Sequence, residues 1–138
     1  MQRNEPNLQK AQEAVQAALD KKALEPVLLD LTDDDTYADY LLIVSARSDR
    51  QVRSIADHVV EALAAQGHRP LGIEGRREGR WALVDFGDLV VHIFYHPLRE
   101  YYDVEGLWVD ARRVPLVVPP EQRIRPHDPE ELGYSLAD

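Results

Sequence analysis

Two histidines, His92 and His96, stand four residues apart. That spacing holds zinc when both residues lie on a helix, but here they lie along and just past a run of β-forming residues, with no third ligand in view. A surface pair of histidines is the simpler reading. Asp33-Asp34-Asp35 could suggest a divalent-metal loop, yet it lacks the glycine and distal glutamate of a calcium loop, and an Asp-rich turn explains it better. Glu74, Asp85 and Asp88 are carboxylates that could act in acid–base chemistry, but Gly87-Asp88 is accounted for by a turn. Ser45 and Ser48 have no nucleophile-elbow context, and no glycine loop for phosphate is present. The chain has no cysteine, which excludes disulfides, a thiol nucleophile and thiolate metal sites. Nothing assembles nucleophile, base and oxyanion donors. The expectation is a protein without catalytic residues, metal or cofactor.

The elements that must position these residues follow from periodicity. Residues 7–23 read as an amphipathic helix through Leu8, Ala11, Val15, Ala18 and Leu19. Pro26 opens an extended run through Leu31, and Tyr40-Leu41-Leu42-Ile43-Val44 suits a central strand buried on both faces. Ser48-Asp49-Arg50-Gln51 has the form of a capping box. Behind it, Val52, Ile55, Ala56, Val59 and Leu63 make one helical stripe, which Gly67 is placed to end. Pro70 through Glu74 reads as a short strand near a sheet edge. Residues 81–86 and 89–95 form a hairpin about Gly87-Asp88, and residues 98–108 a short helix. This order predicts an α/β domain over residues 1–113, with a mixed five-stranded sheet and helices mainly on one face. From residue 114 to 138 prolines interrupt a charged stretch, which reads as an extended tail, partly docked through Leu116-Val117-Val118.

The hairpin carries the functional signal. A two-residue turn sets Phe86 opposite Leu89, Val84 opposite Val91 and Ala82 opposite Ile93, all apolar and on one face. The other face pairs Asp85 with Val90, Leu83 with His92 and Trp81 with Phe94. Two long helices cover one face easily, so the second would expose Trp81, Leu83, Val90 and Phe94 as a patch of roughly 500 Å² or more, the size at which an exposed patch marks an interaction site. The competing arrangement folds residues 98–108, through Tyr102 and Trp108, or the tail over this face as a second core.

The 138 residues carry a net charge of −9. Such a chain gains nothing in bulk from counterion release on nucleic acid, and its field favours a basic partner. Arg47, Arg50 and Arg53 cluster, as do Arg76, Arg77 and Arg80; solvated surface arginines are the simpler reading. No run approaches the ~18 apolar residues of a membrane span, and the N-terminus shows no targeting pattern, so the expected location is the cytoplasm.

Several segments together resemble the ribosomal silencing factor family, also called Iojap-related. They are Asp39 to Ile43, Gln51 with Ser54-Ile55-Ala56-Asp57, Pro70 to Gly75, Trp81 to Asp88, Val91-His92-Ile93-Phe94, and Arg99 to Tyr102 with Leu107 and Trp108. They keep the family's order and spacing over about residues 8–112. The resemblance implies a translation repressor that binds the fourteenth protein of the large ribosomal subunit, on the face that meets the small subunit, and so blocks subunit joining. It implies a homodimer when free, no requirement for direct nucleic-acid contact, and a nucleotidyltransferase-like topology without that fold's catalytic motif. Carried onto this chain, the partner surface comprises Trp81, Leu83, His92 and Phe94, with Arg99, Tyr102 and Trp108. Ser45-Ala46-Arg47-Ser48 departs from the family's usual Thr-Gly before the capping serine. The alternatives are a divergent magnesium-dependent nucleotidyltransferase using Asp30, Asp39 or Asp85, against which the missing Gly-Ser and Asp-x-Asp pattern speaks, and a dimeric scaffold with no ribosomal role.

Overall fold

The computed structural model describes residues 5–33 and 37–123. Helix α1 (Glu5–Asp20) ends three residues earlier than its apolar spacing predicts, because Lys22 adopts a left-handed conformation (φ 67°) and the Lys22 and Ala23 amides donate back to the Leu19 and Ala18 carbonyls. Strand β1 (Leu24–Asp30) carries an irregularity between Leu24 and Val27, where Pro26 cannot donate to a ladder. Strand β2 (Tyr40–Ala46) is buried at every position. Helix α2 (Asp49–Ala65) starts on Ser48, whose hydroxyl accepts from the Gln51 amide at 3.0 Å. The expected box is modified: Gln51 Oε1 accepts from the amide of Arg47 rather than Ser48, and Gln51 Nε2 donates to the Lys21 and Lys22 carbonyls. One side chain thereby fixes the α1–β1 turn to the start of α2. Gly67 closes α2 at φ 89°, as expected.

Strands β3 (Gly72–Glu74), β4 (Trp81–Asp85) and β5 (Leu89–Tyr95) follow. Then come helix α3 (His96–Tyr102), a 3-10 turn (Val104–Trp108), strand β6 (Arg112–Arg113) and a second 3-10 turn (Pro120–Gln122). The sheet order is β3-β4-β5-β2-β1-β6. Central β2 and β5 run parallel, and every other pair is antiparallel. Among the described residues the sheet thus has six strands, not five. Two-residue β6 is too short for any periodic signal; it is held where Leu29 and Asp30 pair with Arg113 and Arg112. The predicted helix over 98–108 is two pieces, α3 and the 3-10 turn, divided at Asp103, which is left-handed (φ 46°).

Alternation along the strands builds two cores. Leu28, Leu42, Val44, Ala82, Val84, Val91 and Ile93 face α1 and α2. Leu29, Leu41, Ile43, Val90 and Phe94 face the opposite way, where Leu98 of α3 with Val104, Trp108 and Ala111 pack over them. The long helices share one face as expected, while α3 and the 3-10 turn make the other a second core. Beyond residue 113 the chain runs along the domain. Val114 N–H donates to the Leu28 carbonyl, and Val114, Leu116 and Val118 pack on the first core. Val117 points outward, and buried Gln122 donates to the Leu19 and Ala23 carbonyls at 3.2 and 2.8 Å.

Candidate functional site

The β4–β5 register is as the alternation predicts: Trp81 faces Phe94, Leu83 faces His92 and Asp85 faces Val90. At the open end of this hairpin five rings gather. The Trp81 indole lies 4.9 Å from Phe94 and 4.7 Å from Tyr102, centroid to centroid. Its Nε1–H donates to His92 Nδ1 at 2.9 Å. Tyr101 meets Tyr102 edge-on at 5.0 Å. Further along the same face Trp108 stacks on Tyr37 at 5.2 Å. The Trp81 hydrogen bond uses Nδ1 as acceptor, which puts the imidazole proton on Nε2. That atom is buried with no hydrogen-bond partner among the described residues. Burial also pushes the His92 pKa down to about 4, so the ring is neutral near pH 7 and locks the indole's orientation without adding charge.

The expectation that Trp81, Leu83, Val90 and Phe94 lie exposed together needs correction. Phe94 and Val90 are buried, because α3 and the 3-10 turn bring Leu98, Val104 and Trp108 across them. What reaches solvent is the rim of this second core. Trp81, Leu83 and Trp108 are half-buried, Tyr102 is 48% exposed and Tyr101 79%. His92 stands beneath Trp81 rather than beside it at the surface. The histidine pair is likewise not a surface pair, since His92 and His96 are both buried.

Arg99 is also not a surface contact. It is 3% exposed. Its Nη1 donates to the Glu25 carbonyl at 2.7 Å and to Ser45 Oγ at 3.0 Å, and its Nε donates to Glu105 Oε2 at 3.0 Å. The guanidinium braces the β1 irregularity, β2, α3 and the 3-10 turn against one another, which holds the aromatic rim in place.

Residues outside the partner surface expected from the sequence also belong here. Tyr101, Leu107 and Val109 are among the most exposed large apolar side chains. A cleft of about 350 Å³ opens beside Trp108, with Asp30, Asp33, Asp110 and Arg112 in its lining. No short-range pattern marks it, since its walls come from chain segments nearly 80 residues apart.

Of the carboxylates raised as enzymatic candidates, Asp30, Asp39, Asp85 and Asp88 are engaged within the chain, while Glu74 is exposed. Asp30 accepts from Thr32 and Arg112; although burial raises its pKa, those hydrogen bonds more than offset the effect and hold it below the usual value. Asp39 accepts from Asn7 at 2.7 Å, and Asp85 from the Gly87 amide at 2.7 Å. Asp88 pairs with Lys10 at 2.8 Å. Among the described residues no three His, Asp or Glu side chains gather as a metal site; Asp34 and Asp35 lie outside them. No described helix is long and apolar enough to cross a membrane. The arrangement offers a rigid aromatic rim with a carboxylate-lined cleft beside it, which suits docking of a macromolecular surface.

The chain matches, over residues 4–133, the family described as "Ribosomal silencing factor during starvation". It is 40% identical over 110 residues to "Ribosomal silencing factor RsfS" of Halalkalibacterium halodurans, an alignment covering 80% of this chain and 94% of that protein. A crystal structure of a Chromobacterium violaceum protein superposes with a TM-score of 0.72 at 31% identity, covering 81% of this chain and 92% of that one. A mouse protein named "Mitochondrial assembly of ribosomal large subunit protein 1" is 33% identical over 75 residues, 52% of this chain and 33% of its own length. A match to the family over nearly the full length, with the same fold in a solved relative, establishes that this chain belongs to the ribosomal silencing factor family.

Proposed function

We propose that this protein represses translation by binding the large ribosomal subunit, through its fourteenth protein at the intersubunit face, and so excludes the small subunit. The observation that carries the reading is the half-exposed Trp81, held by His92 and packed against Phe94 and Tyr102, in a chain of this family. A rigid indole on a packed platform loses little freedom on docking, the property of a binding hot spot. Trp81, Leu83, Tyr102 and Trp108 make the contact. His92, Phe94 and Arg99 support it from beneath. The net charge of −9 and the carboxylates of the Trp108 cleft steer a basic ribosomal protein toward this face. The mouse relative's name, which refers to the large subunit, supports the choice of subunit.

The mechanism is steric. Bulk held at the intersubunit face prevents joining, with no turnover, no cofactor and no direct nucleic-acid contact needed for the blocking step. The free protein is cytoplasmic and homodimeric, and if the dimer uses the same rim it must dissociate before docking. Sucrose-gradient co-sedimentation with isolated large subunits, with small subunits as control, tests the reading. Migration with large subunits alone is expected. A folded protein that stays at the top of the gradient at near-physiological salt would refute it.

A further inference from the structure

The two arginine clusters, separate in sequence, meet in the fold. The loop 75–80 lies against the first turns of α2. There Arg53 Nη1 donates to the Arg77 carbonyl at 3.1 Å, and Arg76 grips Asp57 through two hydrogen bonds of 2.6 Å. Two glycines permit the approach. Gly79 is buried at φ 71°, and a Cβ there would stand 2.6 Å from the Asp49 carbonyl oxygen. Gly75, at φ 76°, would place one 1.9 Å from the Trp81 carbonyl oxygen. The Arg80 carbonyl accepts from the Tyr95 amide at 2.8 Å, which fixes the loop's far end beside the aromatic rim.

Within this surface Arg76 is paired with Asp57 and Arg53 with Asp49. Arg50, Arg77 and Arg80 are exposed, and their guanidinium groups meet no carboxylate among the described residues. Glu74 and Glu78 are the nearby acidic side chains along the loop. A locally cationic surface therefore stands on a chain whose net charge is −9, next to Trp81.

We propose that Arg50, Arg77 and Arg80 form a second contact, which grips the phosphate backbone of a structured RNA lying beside the protein on which Trp81 docks. This deepens the reading of a large-subunit docking protein and rests on it. Guanidinium forks suit phosphate oxygens better than a point charge does. The glycine-pinned loop carries Arg77 and Arg80, and the first turn of α2 carries Arg50, so the backbone is already ordered and only side-chain freedom is lost on contact. Because the rest of the molecule repels polyanions, the RNA can approach only in the orientation that sets Trp81 against its own partner. The two contacts divide the labour: the aromatic rim supplies apolar burial, and the arginines set orientation and salt dependence.

The test uses the full chain and its R50Q/R77Q/R80Q variant, whose exposed substitutions spare both cores. Binding to isolated large subunits is titrated between 50 and 200 mM salt. Loss of two to three phosphate contacts should reduce the slope of log affinity against log salt by about 2, equivalent to roughly a 16-fold difference between the two variants' salt responses over that range. An unchanged slope would overturn the proposal and leave the docking reading intact. In parallel, both proteins are titrated with a 16-base-pair RNA duplex and with poly-glutamate at low salt. Duplex binding that the variant loses is expected, even if large-subunit binding itself fails and takes the docking reading with it. Equal duplex binding by both proteins, or a preference of these arginines for poly-glutamate, would overturn the RNA assignment.

Discussion

Replacing Arg99 with methionine separates a structural brace from a partner contact. The substitution keeps most of the side chain's volume and removes three hydrogen bonds: to the Glu25 carbonyl, to Ser45 Oγ and to Glu105. Arg99 is 3% exposed, and the Glu105 side chain it pairs with is 24% exposed. Removing one member of a buried ion pair costs about 3–5 kcal/mol, because its partner stays behind uncompensated. Glu105 is reached by solvent and also by Arg113 at 3.6 Å, so the lower end, about 3 kcal/mol, is expected. For a chain of this size each kcal/mol is worth roughly 3 °C, which gives a Tm drop of about 10 °C. Thermal unfolding followed by circular dichroism measures it. The same preparation, assayed below its Tm, should keep most of its affinity for large subunits, since the guanidinium never reaches the surface and only the support beneath the rim is loosened. A Tm within 2–3 °C of wild type together with lost binding would refute the brace and return Arg99 to the interface.

Trp81→Ala should weaken large-subunit binding by about 2–4 kcal/mol, as hot-spot truncations do, and wild-type affinity in a folded variant would remove Trp81 from the docking surface. His92 adds a pH dependence. Its folded pKa of about 4 lies below the ~6.5 of the unfolded chain, so the stability it supports is fully present above pH 6.5 and is lost as pH falls toward 4. By linkage the loss between pH 7 and pH 5 is roughly 2 kcal/mol. Urea unfolding at both pH values should show this component in the wild type and not in His92→Gln; an equal loss in both would assign it elsewhere. Gly79→Ala, which sets a Cβ against the Asp49 carbonyl at a positive φ, should destabilise the fold by about 1–3 kcal/mol, and an unchanged denaturation midpoint would mean that the loop shifts freely.

Much of the sheet was legible because strand alternation is a strong local signal. Ala82, Val84 and Phe86 against Leu89, Val91 and Ile93 fix one face of the hairpin, and the register follows. The capping serine and Gly67 set the limits of α2 in the same local way. What the sequence concealed depends on distant contacts. Arg99 reads as a surface cation until Glu25 and Ser45, 74 and 54 residues away, close around it. Phe94 reads as exposed when only long periodic helices are counted as cover, and the cover comes from a seven-residue helix and a 3-10 turn too short for any moment. The arginine surface is invisible to spacing for a related reason, since two positive-φ glycines fold the loop onto α2. The proline-interrupted stretch after residue 113 is docked as far as residue 123 by a few apolar side chains and Gln122.

The chain has two tryptophans, and both stand on the proposed docking face, one against His92 and Tyr102 and the other against Tyr37. Its tryptophan fluorescence therefore originates entirely where a partner would sit. Desolvation of either indole on docking would shift the emission without any attached dye. With Trp81→Phe and Trp108→Phe each leaving a single emitter, the protein can report which half of the rim is covered first.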